Sequence, residues 1–291
     1  MPPLAYRNGQ FLPVDQASIP LHDAGFVWGA VATDAVRTFR HELFRWPAHL
    51  ARFRQTCRLT EIPLLLSDAE LTAAAQELVH RNSALLPADV ELMLILLATP
   101  GPIPRLLGLP DGPVDPTLLL YTYPLDRSRL ESQRTNGVVL RTTRVQAPSW
   151  ATLPPQAKHR SRLHWWLAEK EVQAREAEAT ALMLDAEGFV TETWNANVLL
   201  VQEGHLSTPP RRTVLPGVTL EVVAELCRSA GLPLTERPWH SVDLGLVEEA
   251  IVSGTSFCLA PVRRLEGRSL PCPGPVYQSL RQLWEQRLGP W

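Results

Sequence analysis

Lysine is scarce in this sequence: Lys158 and Lys170 stand alone against twenty-six arginines. A guanidinium keeps its proton and adds to no carbonyl at neutral pH. A lysine amine can do both, so a chain that otherwise prefers arginine retains lysine where that chemistry is needed. Lys170 falls in Glu169-Lys170-Glu171, the charged face of an expected helix, and reads as a solvated surface residue. Lys158 follows the turn Pro154-Pro155 and sits beside His159, Arg160 and Arg162, whose positive charge favours the neutral, nucleophilic amine. A surface lysine at a helix start is the plainer alternative, and position alone does not choose between them.

Three further stretches have chemical potential. In Leu215-Pro216-Gly217-Val218-Thr219 a helix start places free backbone N–H groups, a hydroxyl and the positive end of a helix dipole together, the arrangement that suits an anionic phosphate ester. Ordinary capping explains it equally well. Ser253-Gly254-Thr255-Ser256, at the end of an expected strand, is a second turn whose amides and hydroxyls suit the same group. With an arginine such as Arg52 the two turns form a phosphate cup, and no GxxxxGK[ST] loop is present. Glu192, in Thr191-Glu192-Thr193, puts a carboxylate where a strand ends, a position that is usually solvated. His22, His49, His159 and His164 show no metal-ligand spacing, and Cys57, Cys227, Cys258 and Cys272 form no CxxC pair, so no metal site and no disulfide framework is expected.

The elements that must position these residues can be read in order. Asn8-Gly9 between alternating residues marks a first β-hairpin. The glycine-punctuated run His22 to Ala30 connects it to strands around Asp34–Phe39 and Leu43–Trp46. Pro47 suits the first turn of a helix through Leu50, Phe53, Cys57 and Leu59. Ser67-Asp68-Ala69-Glu70 is a capping box opening a second helix to about Arg81, and Val90–Leu97 and Thr117–Tyr123 are apolar runs of strand length. This first α+β domain spans residues 1–122. A polar connection at 123–136 leads to a larger domain, 137–291, with strands at 137–141, 181–185, 197–201 and 250–256 and helices ending near Glu178, before Gly231 and near Arg287.

Composition narrows the class. A formal charge of −2 over 291 residues provides no electrostatic footprint for nucleic acid or an anionic membrane. The first residues lack a basic segment followed by an apolar run, and no stretch of about 18 apolar residues occurs, so a soluble cytoplasmic protein is expected.

Taken together and in order, these residues resemble the class IV family of pyridoxal-phosphate enzymes, which includes branched-chain aminotransferase, D-amino acid aminotransferase and aminodeoxychorismate lyase. The landmarks are Asn8-Gly9 with Phe11; Asp23 to Gly29; His49-Leu50-Ala51-Arg52-Phe53; Lys158; Leu184-Asp185 with Gly188; Glu192 with Asn197; Thr208-Pro209-Pro210; Leu215 to Thr219; and Ser253-Gly254-Thr255 with Pro261-Val262. They run from about Asn8 to Arg268. The resemblance implies a two-domain α+β / α/β fold of type IV with the cofactor, pyridoxal 5'-phosphate, between the domains. It also implies a homodimer, and small-molecule amino acid and 2-oxo acid substrates. It implies that Lys158 holds the cofactor as an internal aldimine and shuttles the Cα proton. Glu192 would pair with the pyridine nitrogen, and Arg52, Val218, Thr219 and Thr255 would hold the phosphate.

The sequence also departs from the family. Where relatives carry an aromatic residue and a glutamate, this chain reads Gly29-Ala30-Val31-Ala32-Thr33-Asp34. The Thr-Arg-Gly turn of D-amino acid enzymes is Thr99-Pro100-Gly101 here. The strand arginine and post-lysine tyrosine of branched-chain enzymes are also missing, Leu163 standing in the latter place. Arg37, Arg105 and Arg162 are therefore the candidates for the substrate carboxylate. Transamination is the leading expectation. A lyase releasing pyruvate is the alternative, since Lys158-His159-x-x-Arg162-Leu163 is similar to the aminodeoxychorismate lyase pattern, and a non-catalytic member is the third.

Overall fold

A computed structural model describes residues 2–289. The chain divides into two compact units. The first runs to Leu125 and takes in Ala157–Ser161, and the second holds Asp126–Gln156 and everything from Arg162 onward.

The first unit begins with strands β1 (Leu4–Arg7) and β2 (Gln10–Pro13), joined at Asn8 and Gly9, both at positive φ as a two-residue hairpin turn requires. A single helical turn, α1 (Ala24–Val27), starts where the Asp23 carboxylate accepts from Gly25 N at 2.7 Å. Strands β3 (Ala32–Phe39) and β4 (Glu42–Leu43) and helices α2 (Trp46–Leu59) and α3 (Asp68–Ser83) follow, then β5 (Leu92–Thr99) and β6 (Thr117–Pro124). The capping box is formed: Glu70 N donates to Ser67 Oγ and Ser67 N to Glu70 Oε2. The sheet runs β2-β1-β6-β5-β3-β4. Its apolar face, with Val36, Leu94, Leu96 and Leu120, packs with Leu50, Phe53, Leu71 and Leu78 of the two helices.

The second unit opens on α4 (Arg127–Asn136) and β7 (Val138–Gln146), then α5 (Leu163–Arg175), β8 (Ala179–Leu184), β9 (Asn197–Gln202) and β10 (His205–Thr208). It continues through α6 (Val218–Ser229), β11 (Leu234–Glu236), β12 (Glu249–Gly254), β13 (Cys258–Leu265), β14 (Arg268–Ser269) and α7 (Pro275–Leu288). The sheet order is β11-β10-β9-β12-β13-β7-β8, with β14 beside β13. Strands β7 and β8 are parallel, so a crossover is needed, and α5 provides it, burying Trp165, Ala168 and Val172 against Val139, Ala179 and Ala181.

Two expectations need correction. The polar connection expected at 123–136 is structured, because Tyr123 and Pro124 complete β6 and the Asp126 side chain accepts from Arg129 N at 3.1 Å, capping α4. Lys158, expected within the larger domain, is carried by a segment that groups with the first unit. Among the described residues no helix is long and apolar enough to cross a membrane, and no three metal-ligating side chains cluster.

Candidate active site

In the first unit, backbone pairing fixes the lysine segment along the start of β3. Thr33 N donates to Lys158 O at 2.8 Å, and Arg160 N donates to Val31 O at 3.0 Å. Lys158 N donates to Thr56 Oγ1 at 3.1 Å and Ser161 Oγ to Gly29 O at 2.7 Å. Both flanks of the lysine are thus tied down before its side chain begins.

Helix α2 presents His49, Arg52 and Thr56, spaced three and four apart and therefore one stripe of the helix, all buried. They meet Asp34 of β3, which is wholly buried. Asp34 Oδ2 accepts from Arg52 Nε at 2.9 Å, and Oδ1 accepts from Arg52 Nη2 at 2.8 Å and from Ala35 N at 2.7 Å. His49 Nδ1 lies 2.8 Å from the same Oδ1. Burial opposes ionisation of Asp34, but the Arg52 guanidinium and the His49 contact outweigh it and hold the carboxyl well below the usual range. Burial pushes His49 down, with the charges of Arg52 and Lys158 in the same direction and Asp34 opposing. A neutral His49 facing an ionised Asp34 carries its proton on Nδ1. The Arg52 Nη2 to His49 Nδ1 approach of 3.3 Å is then a contact and not a hydrogen bond.

The second unit gathers a different set. Glu192 Oε2 accepts from Asn197 Nδ2 and from Leu215 N, each at 3.2 Å, while Asn197 Nδ2 also donates to Leu215 O at 3.0 Å. One amide therefore ties the carboxylate to the loop that starts α6. That loop ends on Gly217, where a Cβ would lie 2.0 Å from Asn197 Oδ1. No side chain caps α6, so the first-turn N–H groups at Val218 and Thr219 have no side-chain acceptor from the cap position. Asn197 pairs with Ser253 across β9 and β12, and two residues on is Thr255, half-buried in the turn after β12. The Ser253 hydroxyl, on a residue 2% exposed, has no hydrogen-bond partner among the described residues. An uncapped helix start and an orphaned buried hydroxyl suit an anionic group.

The three arginines considered for a carboxylate occupy different settings. Arg37 is buried, its guanidinium 3.9 Å from the Phe39 ring centroid and its Nε donating to Thr38 O. Arg105 is exposed on a 3-10 turn, 5.9 Å from the Trp28 ring. Arg162 precedes α5, donates to Trp194 O and lines a cavity of about 640 Å³ with Trp165, Trp166 and Trp194. Sequence reasoning did not assign roles to Asp34, His49 and Asn197. Their signal was polar type at positions that fold inward, which one sequence does not distinguish from a solvated site.

The class IV aminotransferase family model matches residues 32–265, which hold every element described above from β3 to β13. The chain belongs to the class IV aminotransferases. This class IV aminotransferase is 26% identical over 268 residues to a putative branched-chain-amino-acid aminotransferase of Methanocaldococcus jannaschii, covering 90% of this chain and 88% of that one. It is 26% identical over 277 residues to the D-alanine aminotransferase of Bacillus licheniformis, covering 94% and 93%. In fold it is similar to the Escherichia coli branched-chain amino acid aminotransferase, with a TM-score of 0.86 at 21% identity over 97% of this chain and 93% of that chain. The mixed α/β architecture with two sheets is the one expected from sequence. The reaction expected first, amino-group transfer, is the family's, and the relatives found are aminotransferases, which does not favour the lyase alternative.

Proposed function

We propose that this aminotransferase uses pyridoxal 5'-phosphate to move an amino group between an amino acid and a 2-oxo acid, with Lys158 as its catalytic amine. One observation carries the reading: backbone bonds fix the Lys158 segment at both flanks against β3 and α2, the two elements that carry the buried Asp34–Arg52 pair. When bound, the cofactor supplies an aldehyde to which an amine adds and a pyridinium ring that accepts the electrons released at the substrate Cα.

Each remaining role belongs to this chain. Lys158 Nζ would hold the cofactor through its aldehyde and, when not so engaged, would be the base that moves the substrate Cα proton. Glu192, fixed by Asn197 and Leu215, would hold a proton at the cofactor's ring nitrogen. The amides of Val218 and Thr219, the hydroxyls of Thr219 and Thr255 and the guanidinium of Arg52 bind the phosphate. Arg105 and Arg162 are the groups for the substrate carboxylate, since Arg37 is buried against Phe39. Exposed Phe26, Trp28 and Leu106 on the first unit support association into a homodimer, which a solution mass near twice 32.4 kDa would establish and a monomer mass would refute.

The test is a half-reaction. Protein loaded with pyridoxal 5'-phosphate and exposed to single amino acids should convert the cofactor to its amine form with release of the matching 2-oxo acid. Lys158→Ala should lose the visible absorbance and at least about a thousandfold in turnover, a scale typical of removing a residue that both holds and moves a proton. Normal turnover in Lys158→Ala, or no amine form with any amino acid, would overturn the proposal.

A further inference from the structure

The cavity of about 640 Å³ lies wholly within the second unit, and none of the residues assigned to the cofactor lines it. It is bounded by the first residues of β7 and β8, by Arg129 and Gln133 one turn apart on α4, and by α5 from Trp165 to Gln173, a run of about 12 Å along the helix axis. A space of that size falls in the range of about 300–1,000 Å³ typical of small-molecule sites. Its apolar surface is indole, from Trp165, Trp166 and Trp194, and Trp166 is 61% exposed. Flat apolar faces of this kind suit a flat ring.

Charge decides what the ring must carry. Four cations line the cavity, Arg129, Arg162, Lys170 and Arg263, against two acids, Glu169 and Glu178, a surplus of two positive charges. Both acids are engaged: Glu178 pairs with Arg263 at 2.5 Å, and Glu169 accepts from Ala181 N at 2.9 Å and from Gln173 Nε2 at 3.1 Å. Arg129 and Lys170 form no salt bridge among the described residues, and Asp126 acts on Arg129 only as a nearby charge. An indole cage commonly takes a cation, but here Lys170 already lies over the Trp166 ring, 4.7 Å from its centroid. Independently of the cofactor reading, we propose that this cavity is a binding site for an aromatic carboxylate, its ring among the three indoles and its anion on Arg129 and Lys170. Neither of those two side chains enters the proposed function.

The experiment is calorimetric titration of the full-length protein saturated with pyridoxal 5'-phosphate, with indole-3-acetate as the probe. Tryptamine presents the same ring with the opposite charge, and cyclohexylacetate the same charge without an aromatic ring. Indole-3-acetate should bind with a Kd of about 1 mM or tighter, and each control at least about tenfold more weakly. Arg129→Glu should weaken indole-3-acetate by about tenfold or more, the scale of losing one hydrogen bond to a charged group, and a glutamate in the first turn of α4 suits the helix. Trp166→Ala removes an exposed ring and should cost indole-3-acetate more than cyclohexylacetate. If Arg129→Glu melts early, Lys170→Glu takes its place. Equal binding of tryptamine overturns the proposal, as does undiminished binding in Arg129→Glu and Trp166→Ala, which places the probe elsewhere. So does no binding of indole-3-acetate up to about 10 mM, the result expected if a second copy of the chain covers the indoles. No step involves Lys158, so failure here leaves the proposed amino-group transfer standing, and loss of that activity in Lys158→Ala leaves this site untouched.

Discussion

Gly217→Ala should destabilise this protein even though its backbone accepts alanine. At φ −70° and ψ 124° the residue is in ordinary extended conformation, so the change by itself should stabilise by about 0.4–1 kcal/mol through the unfolded chain. The added Cβ, however, would stand 2.0 Å from Asn197 Oδ1. That oxygen ends a flexible side chain, which would make the clash cheap if the amide were not engaged. It is engaged: Nδ2 donates to Leu215 O at 3.0 Å and to Glu192 Oε2 at 3.2 Å, on a residue only 5% exposed. Swinging it away loses about 1 kcal/mol for the neutral bond and about 1.5–3 kcal/mol for the charged one. Leu215 N still reaches Glu192, which keeps the carboxylate from being fully orphaned and favours the lower end. The net loss is about 2 kcal/mol, or roughly 3–5 °C in Tm for a chain of this length. Scanning calorimetry on Gly217→Ala, Asn197→Ala and the double variant measures it. In the Asn197→Ala background the glycine substitution should be neutral or stabilising, and if it costs the same there as in the unmodified protein, the clash with Asn197 is not the cause.

The remaining predictions concern protons and thiols. His49 is held neutral by burial, so the unfolded chain takes up a proton that the native one refuses; stability is full above the unfolded histidine pKa of about 6.5 and falls as pH drops below it. His49→Gln should flatten the slope of stability between about pH 6.5 and 5, as read from urea midpoints, and an unchanged slope would assign it to other groups. Asp34, held low, adds loss in the same acid direction below about pH 4. Burial pushes the Cys57 thiol up to about 12 and the Cys227 thiol up to about 11, and Cys258 is buried. Native protein at pH 8 should therefore give less than one fast-reacting thiol, from half-buried Cys272, and all four after denaturation. Rapid native labelling of Cys57 or Cys227 would contradict the packing described.

Local signals made much of the architecture legible. Asn8-Gly9 needed only its own φ preferences, and the Ser67–Glu70 capping box only four residues. Helix α4 escaped because its face is polar, with Leu130 and Arg134 the side chains it buries. Strand β13 escaped because Pro261 argues against a central strand; it is tolerated next to the register shift between Val262 and Arg264 that loosens the pairing with β7.

The sequence by itself determined the chemical inventory: one scarce amine at 158, an acid at 192 and two hydroxyl-rich turns, because residue type and short spacing decide what a group can do. Tertiary structure alone decided the company each keeps. Lys158 bonds a threonine 102 residues away and so joins the first unit, Asp34 grips Arg52 across 18 residues, and Asn197 joins Glu192 to a loop 18 residues beyond it. Such partnerships arise when burial strips water from polar groups and forces each to find a donor or acceptor among whatever the fold brings near, which spacing along a chain does not encode.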